Sequence, residues 1–220
     1  AASEEYTGGK DVPQLKAMRS VWTAFRNLTC ILTTDLLMIQ ARYALLTIFD
    51  TGIDIMSQLK SVDGDSASKI LGDVFCTFSN IVHENYITKK YFQDENVLSK
   101  CLEVLKKNGM WNFESRKGLI HKAINFFDTC RFKNLLDESL DYEMILPLLV
   151  VALKKFPSND KIRGYAVNIL DQACSSEANN NKAILRSGVM EPLGLLLASD
   201  EINDEDEKNK VRTLISKIIA

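Results

Sequence analysis

Histidine and cysteine, the side chains that most often bind transition metals or act as nucleophiles, are few and scattered in this sequence. The five cysteines are Cys30, Cys76, Cys101, Cys130 and Cys174, and they form no C-x-x-C pair. The two histidines, His83 and His121, lie in no H-E-x-x-H segment and beside no cysteine at metal-ligand spacing. We therefore predict no metal site and no cofactor, and we interpret the cysteines as reduced core thiols of a cytosolic protein.

Carboxylates and glycine-rich turns, which could support acid–base or phosphate chemistry, lack the surroundings that such chemistry needs. Asp94, Glu95 and the acidic run 204–207 fall in predicted loops, where no apolar pocket would raise a carboxyl pKa. The TGGK segment at residues 7–10 lacks the upstream glycine and the following Ser or Thr of a phosphate-binding loop. Since no residue can be nominated as nucleophile or general base, we predict that the protein is not an enzyme.

The charge balance and the apolar runs argue against nucleic-acid binding and against a membrane span. The chain has 27 basic and 29 acidic residues and a net charge of -2, so no overall field attracts phosphates. Its longest apolar run, 144–153, is half the ~20 residues that a spanning helix requires. We expect no nucleic-acid partner and no transmembrane segment, whereas peripheral attachment through a missing N-terminal segment stays open.

Any binding site must be positioned by helices, because apolar residues recur here at intervals of three and four. The stretches 70–82 and 162–173 both show this spacing, which is typical of a helix with one buried stripe. No comparable stretch alternates with the period of two that a half-buried strand requires. The sequence therefore predicts an all-α fold.

Candidate turns between helices recur at a nearly constant interval along the chain. Gly52 and Gly188 each follow one apolar helical segment and precede another, and Asn96 and Glu143 occupy the equivalent place elsewhere. Glycine and, next, asparagine adopt the left-handed conformation that closes a helix end. The intervals of 44, 47 and 45 residues between these positions indicate a structural repeat.

One segment of this repeat, residues 159–199, resembles an armadillo repeat throughout. It contains a long helix with Ala166 and Leu170, the NNKAI segment at 180–184, the Gly188 turn and a short apolar helix. HEAT-type helix pairs are the nearest alternative, and the glycine turn between two helices argues against them. The other repeats are degenerate, and their spacing carries the resemblance along the chain.

The resemblance implies a right-handed superhelical solenoid of armadillo-like three-helix repeats. We expect about four repeats plus a terminal helix, which together form one domain over residues 14–220. The polar residues 1–13 are expected to form a flexible N-terminal tail.

In armadillo proteins the long third helices line a concave groove, where Trp-x-x-x-Asn pairs hold extended peptides. The resemblance places these pairs at Thr23 and Asn27, Cys76 and Asn80, Asn125 and Thr129, Asn168 and Gln172, and Thr213 and Lys217. Two of the five pairs keep the asparagine and none keeps the tryptophan, which argues against a nuclear transport receptor. We expect amides to line this groove, with Arg19 and Arg26 at one end and Asp128 and Asp171 towards the other.

These amides allow two interpretations. An amide can donate to a carbonyl and accept from an N–H, and so suits a peptide backbone. Asn27 and Asn80 could equally bind the backbone of a neighbouring helix. The sequence leaves both open.

Two functions therefore follow from the resemblance. The first is a scaffold or adaptor that binds an extended peptide or a helix of a partner protein and tethers partners such as motor or signalling proteins to an organelle membrane. Apicomplexan armadillo-repeats-only proteins are the members that the chain resembles in this respect, with a location in the cytoplasm or on the cytosolic face of an organelle. The second is a regulator of another protein's cycle, such as a chaperone nucleotide-exchange factor or an autoinhibitory armadillo module.

Overall fold

The computed structural model describes residues 13–31, 35–59, 65–83, 96–107, 117–136, 142–176, 178–199, 202 and 204–220. Within them the chain forms ten α-helices and no β-strand, which confirms the all-α prediction. The helices are α1 Pro13–Ile31, α2 Asp35–Gln58, α3 Asp65–His83, α4 Val97–Lys107, α5 Lys117–Phe132, α6 Tyr142–Lys155, α7 Asp160–Ser176, α8 Ala178–Arg186, α9 Met190–Ala198 and α10 Glu205–Ile219. The predicted tail lies outside the described residues, except that Pro13 already begins α1, a position that suits proline because its missing N–H has no helical partner.

The helices are arranged in two rows. The long helices α1, α3, α5, α7 and α10 contact one another in that order, whereas α2, α4, α6 and α9 form a second row in contact with the first. The short α8 packs against α6, α7 and α10. The apolar core lies between the rows.

The long helices run parallel to one another. Between α3 and α5, Asp73 bonds Lys122 and Ser79 bonds Asn125, so residue numbers ascend together. Between α7 and α10 the bonded pairs likewise ascend, from Arg163 with Glu207 to Asp171 with Lys217. All the long helices therefore present their N-terminal ends along one edge of the row.

Aromatic side chains fill the core on the α1 side of the molecule. Trp22, Phe49, Phe75, Phe78 and Phe126 are all 1% exposed or less. The rings of Phe49 and Phe78 stack with centroids 3.8 Å apart, which ties α2 to α3. Such pairs contribute about 0.5–1.5 kcal/mol beyond the burial of their area.

Two of the four predicted turn positions adopt the left-handed conformation. Asn96 has a φ of 50° just before α4, and Gly188 has a φ of 80° between α8 and α9. The position near Glu143 lies in the first turn of α6 instead. The prediction at Gly52 is wrong, because this residue lies inside the continuous helix α2.

Gly52 is explained by packing rather than by a turn. A Cβ at this position would lie 2.6 Å from Phe78 Cε1 and 3.1 Å from Trp22 Cη2. Only glycine lets the backbone of α2 approach these two rings so closely.

A further left-handed residue, Asn134, ends α5. Its φ is 55°, and Leu135 N donates to Cys130 O while Asn134 N donates to Arg131 O. These two bonds form a Schellman motif, which satisfies carbonyls left free at the helix end. The chain then continues into the core at Leu135 and Leu136, which are 7% and 1% exposed.

Candidate binding surface on the long helices

The fourteen predicted site residues lie on the long helices α1, α3, α5, α7 and α10, and we call the surface that they share the long-helix face. Ten of them are half-buried: Thr23, Arg26, Cys76, Asn80, Asn125, Asp128, Thr129, Asn168, Asp171 and Gln172. The other four are exposed: Arg19, Asn27, Thr213 and Lys217. All fourteen can therefore be reached by solvent, while the core residues of the same helices cannot.

Between α1 and α3, Asn80 behaves as a connection inside the protein. Its Nδ2 donates to Arg26 O at 3.3 Å and to Thr29 Oγ1 at 3.1 Å. Of the two interpretations given above, these bonds favour the one in which the Asn80 amide binds a neighbouring helix. Asn27 instead is exposed and accepts a bond of 3.3 Å from Arg26 Nη2 of its own helix.

Asp73 joins three long helices and was not predicted as a site residue. Its Oδ1 accepts from Arg26 Nη1 at 2.8 Å and from Lys122 Nζ at 2.9 Å, and its Oδ2 accepts from Thr23 Oγ1 at 2.9 Å. Burial alone would raise its pKa, but the bonds from Lys122 and Thr23 and the charges of Lys122 and Arg26 outweigh burial, so the pKa lies below 3.8. A lone acid within the apolar stretch 70–78 was the sequence signal for it.

On α5, the predicted residues make mostly local bonds. Asn125 Nδ2 donates to Ser79 Oγ at 3.4 Å across to α3, whereas Thr129 Oγ1 donates to the carbonyl of Asn125. Asp128 accepts from Arg131 Nε at 2.6 Å, one turn further along the same helix. Its charge is thus balanced within α5.

The α7 and α10 residues differ in how they are satisfied. Gln172 Nε2 donates to Leu136 O at 2.9 Å, and Lys217 Nζ contacts Asp171 Oδ1 at 2.5 Å. Asn168 makes no hydrogen bond with any residue in the described part of the chain, although it is half-buried on the same face. Its amide is therefore available to a ligand.

A shallow cavity of about 530 Å³ lies beside α1. Its lining includes Lys16, Arg19, Ser20, Thr23, Ala24 and Asn27. Three predicted site residues, Arg19, Thr23 and Asn27, thus share this cavity. A second basic side chain in it, that of Lys16, was not predicted from the sequence.

A second cavity, of about 430 Å³, lies on the other row between the end of α6 and α9. It is largely apolar, with Leu153, Pro192 and Leu196 in its lining, and Leu195 beside it is 62% exposed. An ion pair of 2.5 Å between Lys154 and Glu191 lies at this cavity. No site was predicted here from the sequence.

Among the described residues, no group of three or more His, Cys, Asp or Glu side chains could hold a metal ion. Cys101, Cys130 and Cys174 are free thiols. Burial raises the pKa of Cys101 and Cys130, and it raises that of Cys174 to about 11. These thiols are therefore protonated and are weak nucleophiles at neutral pH. No helix within the described residues has the length and apolar character needed to cross a membrane.

Comparisons with known proteins assign this chain to no family. Neither a protein-family model nor a curated protein matches this sequence. Among solved structures, the crystal structure of an engineered protein from a structural genomics consortium is similar at 14% identity and a TM-score of 0.43. The similarity covers 94% of this chain and 99% of the engineered one. A TM-score of this size does not by itself establish a shared fold.

Proposed function

We propose that the chain is an armadillo-type solenoid whose long-helix face binds an extended segment of a partner protein, without catalysis. The successive contacts of five parallel long helices support the solenoid. The left-handed residues Asn96 and Gly188, two repeat lengths apart, support the armadillo type. In this proposal the protein is a scaffold or adaptor that brings partners together.

The observation that carries the binding site is the amide of Asn168. Asn125, at the position of α5 that corresponds to Asn168, donates to Ser79 of the preceding helix. Asn80, which lies one turn later in the register of α3, donates to Arg26 O of the preceding helix. Asn168 has no such bond among the described residues. An amide can donate to one peptide carbonyl and accept from one peptide N–H, and each bond is worth about 0.5–1.5 kcal/mol net.

The spacing of the long helices also suits an extended peptide. Packed helices lie about 8–10 Å apart, and an extended chain advances about 3.3 Å per residue. Neighbouring long helices would therefore contact peptide residues that are about three positions apart. Asn168 on α7 and the amide oxygen Oε1 of Gln172, one turn later, would act on neighbouring peptide units.

The proposal is tested with a displayed library of random peptides. Selected peptides are measured against the wild type, Asn168→Ala and the control Gln58→Ala, which removes an exposed amide from α2 in the other row. We expect Asn168→Ala to weaken binding by about 2- to 10-fold, as the loss of one hydrogen bond implies, and Gln58→Ala to leave it unchanged. Equal affinities for all three proteins would remove the long-helix face as the binding site.

We further place this adaptor in the cytoplasm, on the cytosolic face of an organelle when it is bound to a membrane-attached partner. The free thiols of Cys101, Cys130 and Cys174 support a reducing compartment. Tethering of a motor or signalling protein would be the resulting activity.

A further inference from the structure

Four side chains face one another across the boundary between α5 and α7. Lys117 and His121 are four residues apart on α5, and Lys161 and Tyr165 are four residues apart on α7, so each pair lies on one side of its helix. The rings of His121 and Tyr165 stack with centroids 6.0 Å apart and an interplanar angle of 14°. We call this group of four the basic crevice.

The basic crevice is positively charged and lacks a carboxylate of its own. Burial and then the charges of Lys161, Lys117 and Lys122 lower the pKa of His121 below 6.5, and no acidic residue in the described chain counteracts them. Lys161 and Lys117 are both exposed. The lowered pKa leaves the imidazole mostly neutral at pH 7, with lysines on its own helix and on α7.

Three acidic residues around the basic crevice are each paired with a cation. Asp160 accepts from Arg163 Nη2 at 2.9 Å, and that guanidinium faces α10. Asp128 is paired with Arg131 at 2.6 Å, although its charge, after burial, helps to raise the pKa of Tyr165. Asp73 binds Lys122 on the α3 side.

The helix geometry adds to the positive potential. Lys117 is the first residue of α5, and the first turn of that helix has no acidic residue. The partial positive charge of this helix end is thus not neutralised by the helix's own side chains. The N-terminal end of α7 lies at the same edge, but its first turn contains Asp160, which is paired with Arg163.

We propose that the basic crevice binds a phosphoryl group on the partner segment that lies along the long-helix face. This proposal rests on the proposed function, because it names a chemical feature of the same partner. Two lysines, an imidazole and a phenol lie on the facing sides of two neighbouring helices, and a phosphoryl group offers three acceptor oxygens and nearly two negative charges. A carboxylate offers two oxygens and one charge, and so matches fewer of these donors.

A phosphorylated protein fits this site better than a nucleic acid. A nucleic-acid track needs cations along many phosphates, whereas the chain has a net charge of -2 and the basic crevice contains two lysines. The acidic first turn of α10, with Glu205, Asp206 and Glu207, would also repel a continuous phosphate backbone at that end of the row.

Proton NMR of the two histidines tests the site without any protein partner. Sulfate serves as the probe because it stays doubly charged between pH 5 and 8, and chloride keeps the ionic strength constant. We expect saturating sulfate to raise the pKa of His121 by about one unit, equivalent to about tenfold tighter binding to the charged imidazole. His83, exposed at the end of α3, is the internal control and should not respond.

A double variant, Lys117→Gln with Lys161→Gln, removes the two exposed cations of the crevice. Without sulfate, the pKa of His121 should rise towards 6.5 in this variant, and the response to sulfate should disappear. Lys182→Gln, an exposed lysine on α8, controls for the change in charge. An unchanged response in the double variant would overturn the proposal.

A short peptide that contains phosphoserine, vesicles that contain phosphoinositides and oligouridylate RNA then compete for the site. The phosphopeptide should shift His121 as sulfate does, and the same peptide without phosphate should not. Tighter binding of vesicles or RNA than of the phosphopeptide, lost in the double variant, would overturn the assignment to a phosphoprotein. If His121 ignores sulfate while library peptides still depend on Asn168, this inference fails and the proposed function stands.

Discussion

Arg163→Met is expected to loosen α10 from α7. Arg163 is 2% exposed and holds both carboxylate oxygens of Glu207, from Nε at 2.7 Å and from Nη2 at 2.6 Å. Its Nη1 also donates to Pro157 O. Methionine keeps much of the apolar stem but leaves the carboxylate of Glu207 without its partner. The side chain therefore connects the last long helix to the row.

The magnitude follows from the burial of the partners. Removing one member of a buried ion pair costs about 3–5 kcal/mol, because the other charge is left unpaired. The side chain of Glu207 is 22% exposed, so water recovers part of this cost, and the 82% exposed Asp160 contributes little. We expect the free energy of unfolding to fall by about 2–4 kcal/mol.

Urea unfolding followed by circular dichroism measures this loss. Arg212→Met is the matched control, since Arg212 is an exposed arginine of α10 paired with the exposed Glu205, and it should change stability by less than about 0.5 kcal/mol. A double-mutant cycle with Glu207→Gln should give a coupling of at least about 1 kcal/mol. Additive single effects, or an Arg163→Met loss no larger than that of Arg212→Met, would refute the reasoning.

Three further predictions concern glycines and Asp73. Gly52→Ala should lower the melting temperature, because the new Cβ would lie 2.6 Å from Phe78, at a cost of about 1–3 kcal/mol. Gly118→Ala is the control: no atom lies within 4 Å of its new Cβ, so the melting temperature should stay unchanged or rise. Gly188→Ala should cost about 1 kcal/mol in urea unfolding, since φ is 80° there; an unchanged midpoint would contradict this. Because the folded-state pKa of Asp73 lies below 3.8, its stabilising contribution is present above that value and is lost as pH falls further. Asp73→Asn should therefore flatten the acid side of the pH–stability curve, and a curve that keeps the wild-type slope would exclude the role given to Asp73.

The sequence predicted the helices and two of the turns because these depend on local preferences. Asn96 and Gly188 adopt the left-handed conformation for reasons that a single residue type carries. From the sequence, Gly52 could not be distinguished from these two turn residues. A glycine is needed at this position because the ring of Phe78, 26 residues later in the chain, packs against it. A tertiary contact of this kind leaves no local pattern.

The sequence could predict which side of a long helix is accessible, but it could not predict the individual hydrogen bonds of the side chains there. The spacing of four placed Asn80 and Asn168 on accessible sides of α3 and α7, as the structure has them. Whether an amide is satisfied depends on the adjacent helix, and Asn80 bonds to a carbonyl 54 residues away. The basic crevice was missed for the same reason, since His121 and Tyr165 meet only when α5 and α7 pack.

The side-chain amide of Asn168 gives the most direct test of the claim that the long-helix face binds a partner segment. Its NH₂ resonances can be followed by ¹⁵N–¹H NMR while a library-selected peptide is added, with the amide of Gln58, which is exposed on α2 in the other row, as reference. We expect the Asn168 signals to shift and saturate with the binding curve while those of Gln58 stay in place. Saturation of the peptide with no change at Asn168 would contradict the account.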